Sequence, residues 1–267
     1  MIESLNKFFT YKKKSILTTI NDMTLGKQFD EVGTFINEAI TAQLCLKSFV
    51  SDCFNSKFVS LGQNCSTSWY LKQLGLKKES FPFDWIFSSP EIIRHCINDN
   101  FDRFLDKKLI YQHPSGNSAG HQYYHSKMFN HRNPLKSNED YLYYDRCCER
   151  FLRLMGDSSN IVYVITLINE PQKRGAWRSG FDCSFKMPID QDISTLNDLI
   201  LLLLEKTNNA RFIIVDHYTN TRRHVCAKQM NDHIYFLKYC AGGSSTGLYY
   251  SDNLDDFCFK LILTGLC

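Results

Sequence analysis

The chain has 267 residues, of which 43% are hydrophobic, 14% aromatic and 22% charged. That balance excludes a disordered tail or a fibrous repeat, because neither carries enough apolar surface to offset the entropy of ordering. The 31 Lys and Arg stand against 28 Asp and Glu, and a net charge of +3 neither demands nor excludes an acidic partner. A chain of this length buries roughly 70–75% of its unfolded surface and folds without disulfide staples.

Residues 1–54 read as an N-terminal helical extension and residues 55–267 as the core. From Phe29, the apolar positions Val32, Ile36, Ile40 and Leu44 predict one buried helical stripe. The basic run Lys12, Lys13 and Lys14 reads as a solvated face. KFVSLG (57–62) is β-branched and aromatic, closes on Gly62 and predicts a strand. A helix follows from Cys65 to Leu74, with Asn64 as its N-cap and Gly75 just past its end. After an aromatic segment, Phe83 to Phe87, Pro90 opens a helix reaching about Asn100. Residues 112–121 read as a loop, 122–129 as a strand, and Tyr141 to Met155 as a helix ended by Gly156.

IVYVITLI (161–168) is almost wholly apolar, as a strand buried on both faces is. Residues 172–190 read as irregular, Leu196 to Lys206 as a helix, and RFIIVDHY (211–218) and HIYFLKYC (233–240) as two further strands. The alternation predicts an α/β fold, a mostly parallel central sheet flanked by helices.

The 11 cysteines are an odd number in a long chain, unlike the dense even sets of small secreted domains. The start, MIESLNKFFTYKKKS, lacks the apolar core of a secretory signal. The longest aliphatic run, Leu199 to Leu204, falls far short of the ~20 residues of a membrane span. These features predict a cytoplasmic protein in a reducing compartment with free thiols. Leaderless secretion into another cell is compatible with the same sequence.

The chemistry concentrates in SLGQNCSTSWYLKQLGL (60–76), where a strand passes through a glycine turn into a helix opening at Cys65. Unsatisfied N–H groups and the helix dipole favour negative charge there, which predicts a thiol of lowered pKa. The blander reading is a buried cysteine packing as a small hydrophobe, the role expected of Cys45, Cys96, Cys226 and Cys258.

SLGQNC, then LKQLGL, then SFPFDWIF (80–87) resembles the opening of the papain-like cysteine peptidase domain family of otherwise unknown function. That family's pattern is an S-L-G-x-x-C turn, a leucine-rich helix and a P-[FL]-D-W segment. It continues with N-H-D-F, a Y-x-R-R-x-x-R-F helix, an apolar strand and a strand ending near V-N-H. The corresponding stretches here are FNHRN (129–133), YDRCCERF (144–151), IVYVITL (161–167) and IIVDHY (213–218), so the resemblance covers about residues 57–260. Two positions depart from the pattern: Arg132 replaces the Asp after the histidine, and Asp216 replaces the Asn of V-N-H. The strand–helix alternation also differs from the papain arrangement, in which the cysteine helix packs on an antiparallel barrel-like sheet.

Cysteine chemistry needs a base for the thiol and a group that orients the base. The resemblance implies Cys65 as nucleophile and His131 as its partner. Cys65, Asn169, Asp216 and His217 all fall at carboxyl ends of predicted strands, where open parallel sheets place ligands. Asp216 is the expected orienting residue, with His217, Asn169 and Asp84 as alternatives; Asp84 also reads as a buried carboxylate tying a turn. Gln63 and Asn64 are candidate side-chain donors to an oxyanion, beside backbone N–H groups of the helix start.

Other chemistries have weaker signals. There is no CxxC or HExxH, Cys147 and Cys148 are adjacent, and His121 and His125 flank a strand-like QYY, so no metal is expected. No Walker loop or G-x-G-x-x-G is present and no cofactor is implied. Arg222 and Arg223 read as a solvated loop and no nucleic-acid partner is expected. The expected function is a thiol-dependent enzyme, a cysteine peptidase, deamidase or acyltransferase acting on a protein or peptide-like substrate. The alternatives are an inactive binding module of the same fold and a nucleotide- or sugar-dependent transferase.

Overall fold

The computed structural model describes residues 27–51, 55–114, 116, 118–170, 178–185 and 191–267. The Lys12–Lys14 run and most of 172–190 lie outside the described residues. Five strands form the main sheet: β1 (Lys57–Ser60), β4 (Asn160–Ile168), β5 (Asn209–Tyr218), β7 (Ile234–Cys240) and β6 (His224–Gln229), in that spatial order. β1, β4, β5 and β7 run parallel, and only the edge strand β6 is antiparallel to its neighbour. A small antiparallel hairpin pairs β2 (Ile110–Gln112) with β3 (Ala119–His121).

Alternation along the strands sorts the core into two layers. Ile161, Tyr163, Ile165 and Leu167 of β4 point to one face, with Phe212 and Ile214 of β5. That face is covered by α3 (Pro90–Asn98), α4 (Asn138–Met155) and α5 (Asn197–Lys206). Val162, Val164, Ile213, Val215, Tyr235 and Leu237 point the other way. Against them pack α1 (Lys27–Phe49), α2 (Ser66–Gln73) and α6 (Asn253–Leu263). The sheet is therefore the expected mostly parallel one, covered on both faces. No helix of the described residues is long and apolar enough to cross a membrane.

Three readings are corrected. The buried stripe of α1 is Val32, Phe35, Ala39, Ala42, Leu46 and Phe49, while Ile40 is 40% and Leu44 58% exposed. Successive four-residue steps precess by about 40° per step around a helix of 3.6 residues per turn, so 32-36-40-44 walks off the buried face. Residues 122–129 hold no strand. They are turns touching β3 through an isolated bridge between Ala119 and Phe129; β3 lies within the 112–121 stretch that read as a loop, and β2 ends at its first residue. Cys45 and Cys226 are exposed, whereas Cys96 and Cys258 are buried. The ten cysteines of the described residues are all unbonded.

Candidate active site

The turn after β1 continues its pairing with β4. Leu61 N donates to Val164 O at 2.9 Å and Gln63 N to Thr166 O at 3.4 Å. Gly62 is required by close approach, since a Cβ there would lie 2.8 Å from Thr67 Cβ. Thr67 Oγ1 in turn donates to Thr166 Oγ1 at 2.8 Å, fastening the first turn of α2 to β4. Asn64 Oδ1 accepts from Ser66 N at 3.1 Å and Ser66 Oγ at 2.8 Å. Cys65 itself occupies the N-cap, with φ −70 and ψ −14.

The partner arrives from the opposite layer. After β3 the chain doubles back, Phe129 N donating to Ala119 O at 2.9 Å and Phe87 N to Met128 O at 3.2 Å. That pins the loop carrying His131 between the hairpin and the PFDW segment. His131 Nε2 lies 3.1 Å from Cys65 Sγ. Trp85 presents a T-shaped contact to the imidazole, with ring centroids 6.0 Å apart. The residues after the histidine are held by α4. Arg132 Nη1 donates to Asp140 Oδ1 and Asn133 N to Asp140 Oδ2, each at 2.9 Å. The Arg132 guanidinium also lies 4.1 Å over the Tyr143 ring. Arg132 therefore anchors the loop and turns its charge toward α4.

The other histidines of that region are engaged elsewhere. His121 Nε2 donates to Arg103 O at 2.8 Å, and His125 Nδ1 accepts from Lys127 N at 3.0 Å.

The electrostatics reverse the expectation from the helix dipole. Burial, and then the negative charge of Asp84, push the Cys65 thiol up to about 12, with its own backbone N–H pulling weakly the other way. The dipole loses because Ser66 N, the first amide of α2, is already taken by Asn64 and because Cys65 is only 7% exposed. Burial also lowers the His131 pKa below its ordinary 6.5. Both shifts favour the uncharged forms, a thiol facing a neutral imidazole.

The strand-end residues Asn169 and Asp216 join a hydrogen-bonded network of their own. Asn169 Nδ2 donates to Asp216 Oδ1 at 2.6 Å and to Gln191 O at 2.9 Å. Gln191 Nε2 donates to Ile168 O at 3.1 Å, Ile168 N to Gln63 Oε1 at 2.8 Å, and Gln63 Nε2 to Gln191 Oε1. Both ends of Gln63 are engaged in this network, which ties the nucleophile turn to β4 and β5. His217 Nε2 stands 4.0 Å from Glu170 Oε1 and packs on the Tyr250 ring. Among the described residues, the imidazole of His131 meets Cys65 and Trp85 and makes no hydrogen bond to Asp216, Asn169 or His217. Asp84 Oδ2 accepts from Phe81 N at 2.7 Å and pairs with Lys77, which ties the turn before Trp85. Gln191 carried no sequence signal; Trp85 stood in the motif beside Asp84.

Residues 56–133 match the model of the family described as "Putative papain-like cysteine peptidase". The matched span contains both Cys65 and His131. A stretch of 48 residues is 50% identical to an uncharacterized protein, R408, of Acanthamoeba polyphaga mimivirus. The match covers 18% of this chain and spans 22% of that relative's length. No solved structure matches the chain.

Proposed function

We propose that the protein is a thiol-dependent acyl-transfer enzyme, a hydrolase or transferase acting on an amide or ester of a protein or peptide-like substrate through Cys65 and His131. The carrying observation is the 3.1 Å approach of Cys65 Sγ and His131 Nε2, two groups 66 positions apart in the chain. With the thiol pushed up and the imidazole pushed down, His131 acts as a general base rather than as one half of a standing ion pair. The S–H proton passes to Nε2 as sulfur bonds to the acyl carbon, and the carbonyl electrons move to oxygen. When the tetrahedral adduct collapses, Nε2–H protonates the departing amine or alcohol and leaves an acyl-thioester. Water or a second nucleophile, deprotonated by His131, then releases the acyl group. Asp216 serves here as a positioning residue, reaching the Cys65 turn through Asn169, Gln191 and Gln63.

Alkylation of Cys65 by iodoacetamide, followed by mass spectrometry across pH, tests this reading. A base-assisted thiol gives a rate that rises as His131 loses its proton below pH 6.5 and then stays flat toward the thiol's own titration near 12. His131→Ala replaces the plateau with a continuous rise, and Cys65→Ala abolishes catalysis while leaving Tm nearly unchanged. A wild-type profile that already rises continuously, indifferent to His131, overturns the proposal. The 7% exposure of Cys65 favours a second reading, a binding module of the same fold, which requires biological activity to survive Cys65→Ala.

A further inference from the structure

The loop that delivers His131 is anchored on both sides of the histidine. Phe129 pairs with Ala119, and Asn133 bonds to Asp140 Oδ2 through its N–H and to Gln112 Oε1 through Nδ2, each at 2.9 Å. The side chain between these anchors is exposed, and among the described residues its hydrogen-bond contact is to Cys65 Sγ alone. The reaction consumes that contact, because sulfur gives up its proton and then bonds to the acyl carbon. The base still has to keep its place through two proton transfers, a task that a third, orienting group ordinarily performs.

The other contact of the imidazole is Trp85, a half-buried side chain whose ring centroid lies 6.0 Å away at an interplanar angle of 79°. Rings at that separation and angle attract one another edge to face. The contact does not depend on which ring nitrogen carries a proton, so it persists as the imidazole is protonated and deprotonated. Trp85 is itself well placed to act as a bracket. Asp84 Oδ2 fixes the turn before it by accepting from Phe81 N at 2.7 Å. Phe87 N donates to Met128 O at 3.2 Å, on the approach to His131. Ser88 reaches the nucleophile turn, its N donating to Gln63 O at 3.4 Å and its Oγ to Gly62 O at 3.0 Å. Residues 81–88 thus grip the turn before Cys65 and the loop before His131 at once, and carry the indole that meets the imidazole.

From this geometry we infer that Trp85 is the positioning residue for His131, its ring contact holding the imidazole in line with Cys65 Sγ where a triad would use a hydrogen bond. The inference rests on the Cys65–His131 reading and deepens it. Because Trp85 acts through the imidazole, its effect on the thiol vanishes once the imidazole is removed.

Iodoacetamide alkylation of Cys65 on the pH plateau, measured as a double-variant cycle, tests this. Trp85→Leu is expected to slow alkylation roughly 10-fold in the wild-type background and to leave the rate of His131→Ala unchanged. Trp85→Phe, which restores a ring, is expected to recover most of the lost rate. Should Trp85→Leu lose the folded state, Trp85→Gln takes its place in the cycle with the same expected rates. Equal slowing in both backgrounds overturns the inference, assigning Trp85 to the fold or to the thiol. A Trp85→Leu rate equal to wild type overturns it too, as does a Trp85→Phe rate no faster than that of Trp85→Leu. These outcomes leave the Cys65–His131 reading intact, since that reading is judged by wild type against His131→Ala. Alkylation indifferent to His131→Ala removes both.

Discussion

Asp84 shows how one side chain sets the state of another. Its carboxylate, 1% exposed, pairs with Lys77, 7% exposed, and this buried charge is what burial is helped by in raising the Cys65 thiol. Removing one partner of a buried pair strands the other, so Asp84→Asn is expected to cost about 3–5 kcal/mol. The double variant Asp84→Asn with Lys77→Met, which strands neither charge, recovers most of that loss in a urea-unfolding comparison; failure to recover assigns the cost to the amide N–H group that the variant buries without an acceptor. The sequence showed Asp84 as a turn carboxylate but not its effect on the thiol. Helix position alone predicted a lowered pKa, and desolvation, which depends on residues far along the chain, is invisible in a local window.

At the level of elements, what could be read depended on whether a segment's partners were uniform. β4 is almost wholly apolar and lies between two covered faces, so its composition alone marked it. β2 and β3 are three residues each, IYQ and AGH, too short to show an alternating pattern even though Ile110 and Ala119 reach the core, so β3 read as part of a loop. α1 was found as a helix with its face misplaced, because Ile36, Ile40 and Leu44 outweigh Phe35, Ala39 and Ala42 in hydrophobicity although the latter fill the narrow space against α6 and the sheet. The two stripes make opposite predictions. Leu46→Ala, at a fully buried position, should lose about 2–5 kcal/mol through transfer and cavity terms, while Leu44→Glu should change stability by less than ~0.5 kcal/mol. Matched denaturant titrations decide it, and a large loss at Leu44 with none at Leu46 would restore the 32-36-40-44 face.

In the whole molecule, the nucleophile rides on the layer of α1, α2 and α6, and the base comes from loops over the layer of α3, α4 and α5. The dyad therefore exists only while both layers close over the carboxyl edge of the sheet. The motif order singled out Cys65 and His131, but their meeting depends on the β2–β3 hairpin that local sequence did not reveal. His121 makes that hairpin pH-sensitive. Its Nε2 donates to Arg103 O and its Nδ1 accepts from Tyr123 N, so the neutral ring uses both nitrogens and protonation breaks the second bond. Burial lowers its pKa from 6.5 to about 4. Between those values the unfolded chain binds a proton that the folded one refuses, so stability rises with pH in that window. The contribution is complete above pH 6.5 and is lost as pH falls toward 4, by up to ~3 kcal/mol from this group. Urea midpoints measured from pH 7 to pH 4 should fall in the wild type and fall less steeply in His121→Gln. An equal slope in both would show that the imidazole is not the group that loosens the hairpin on acidification.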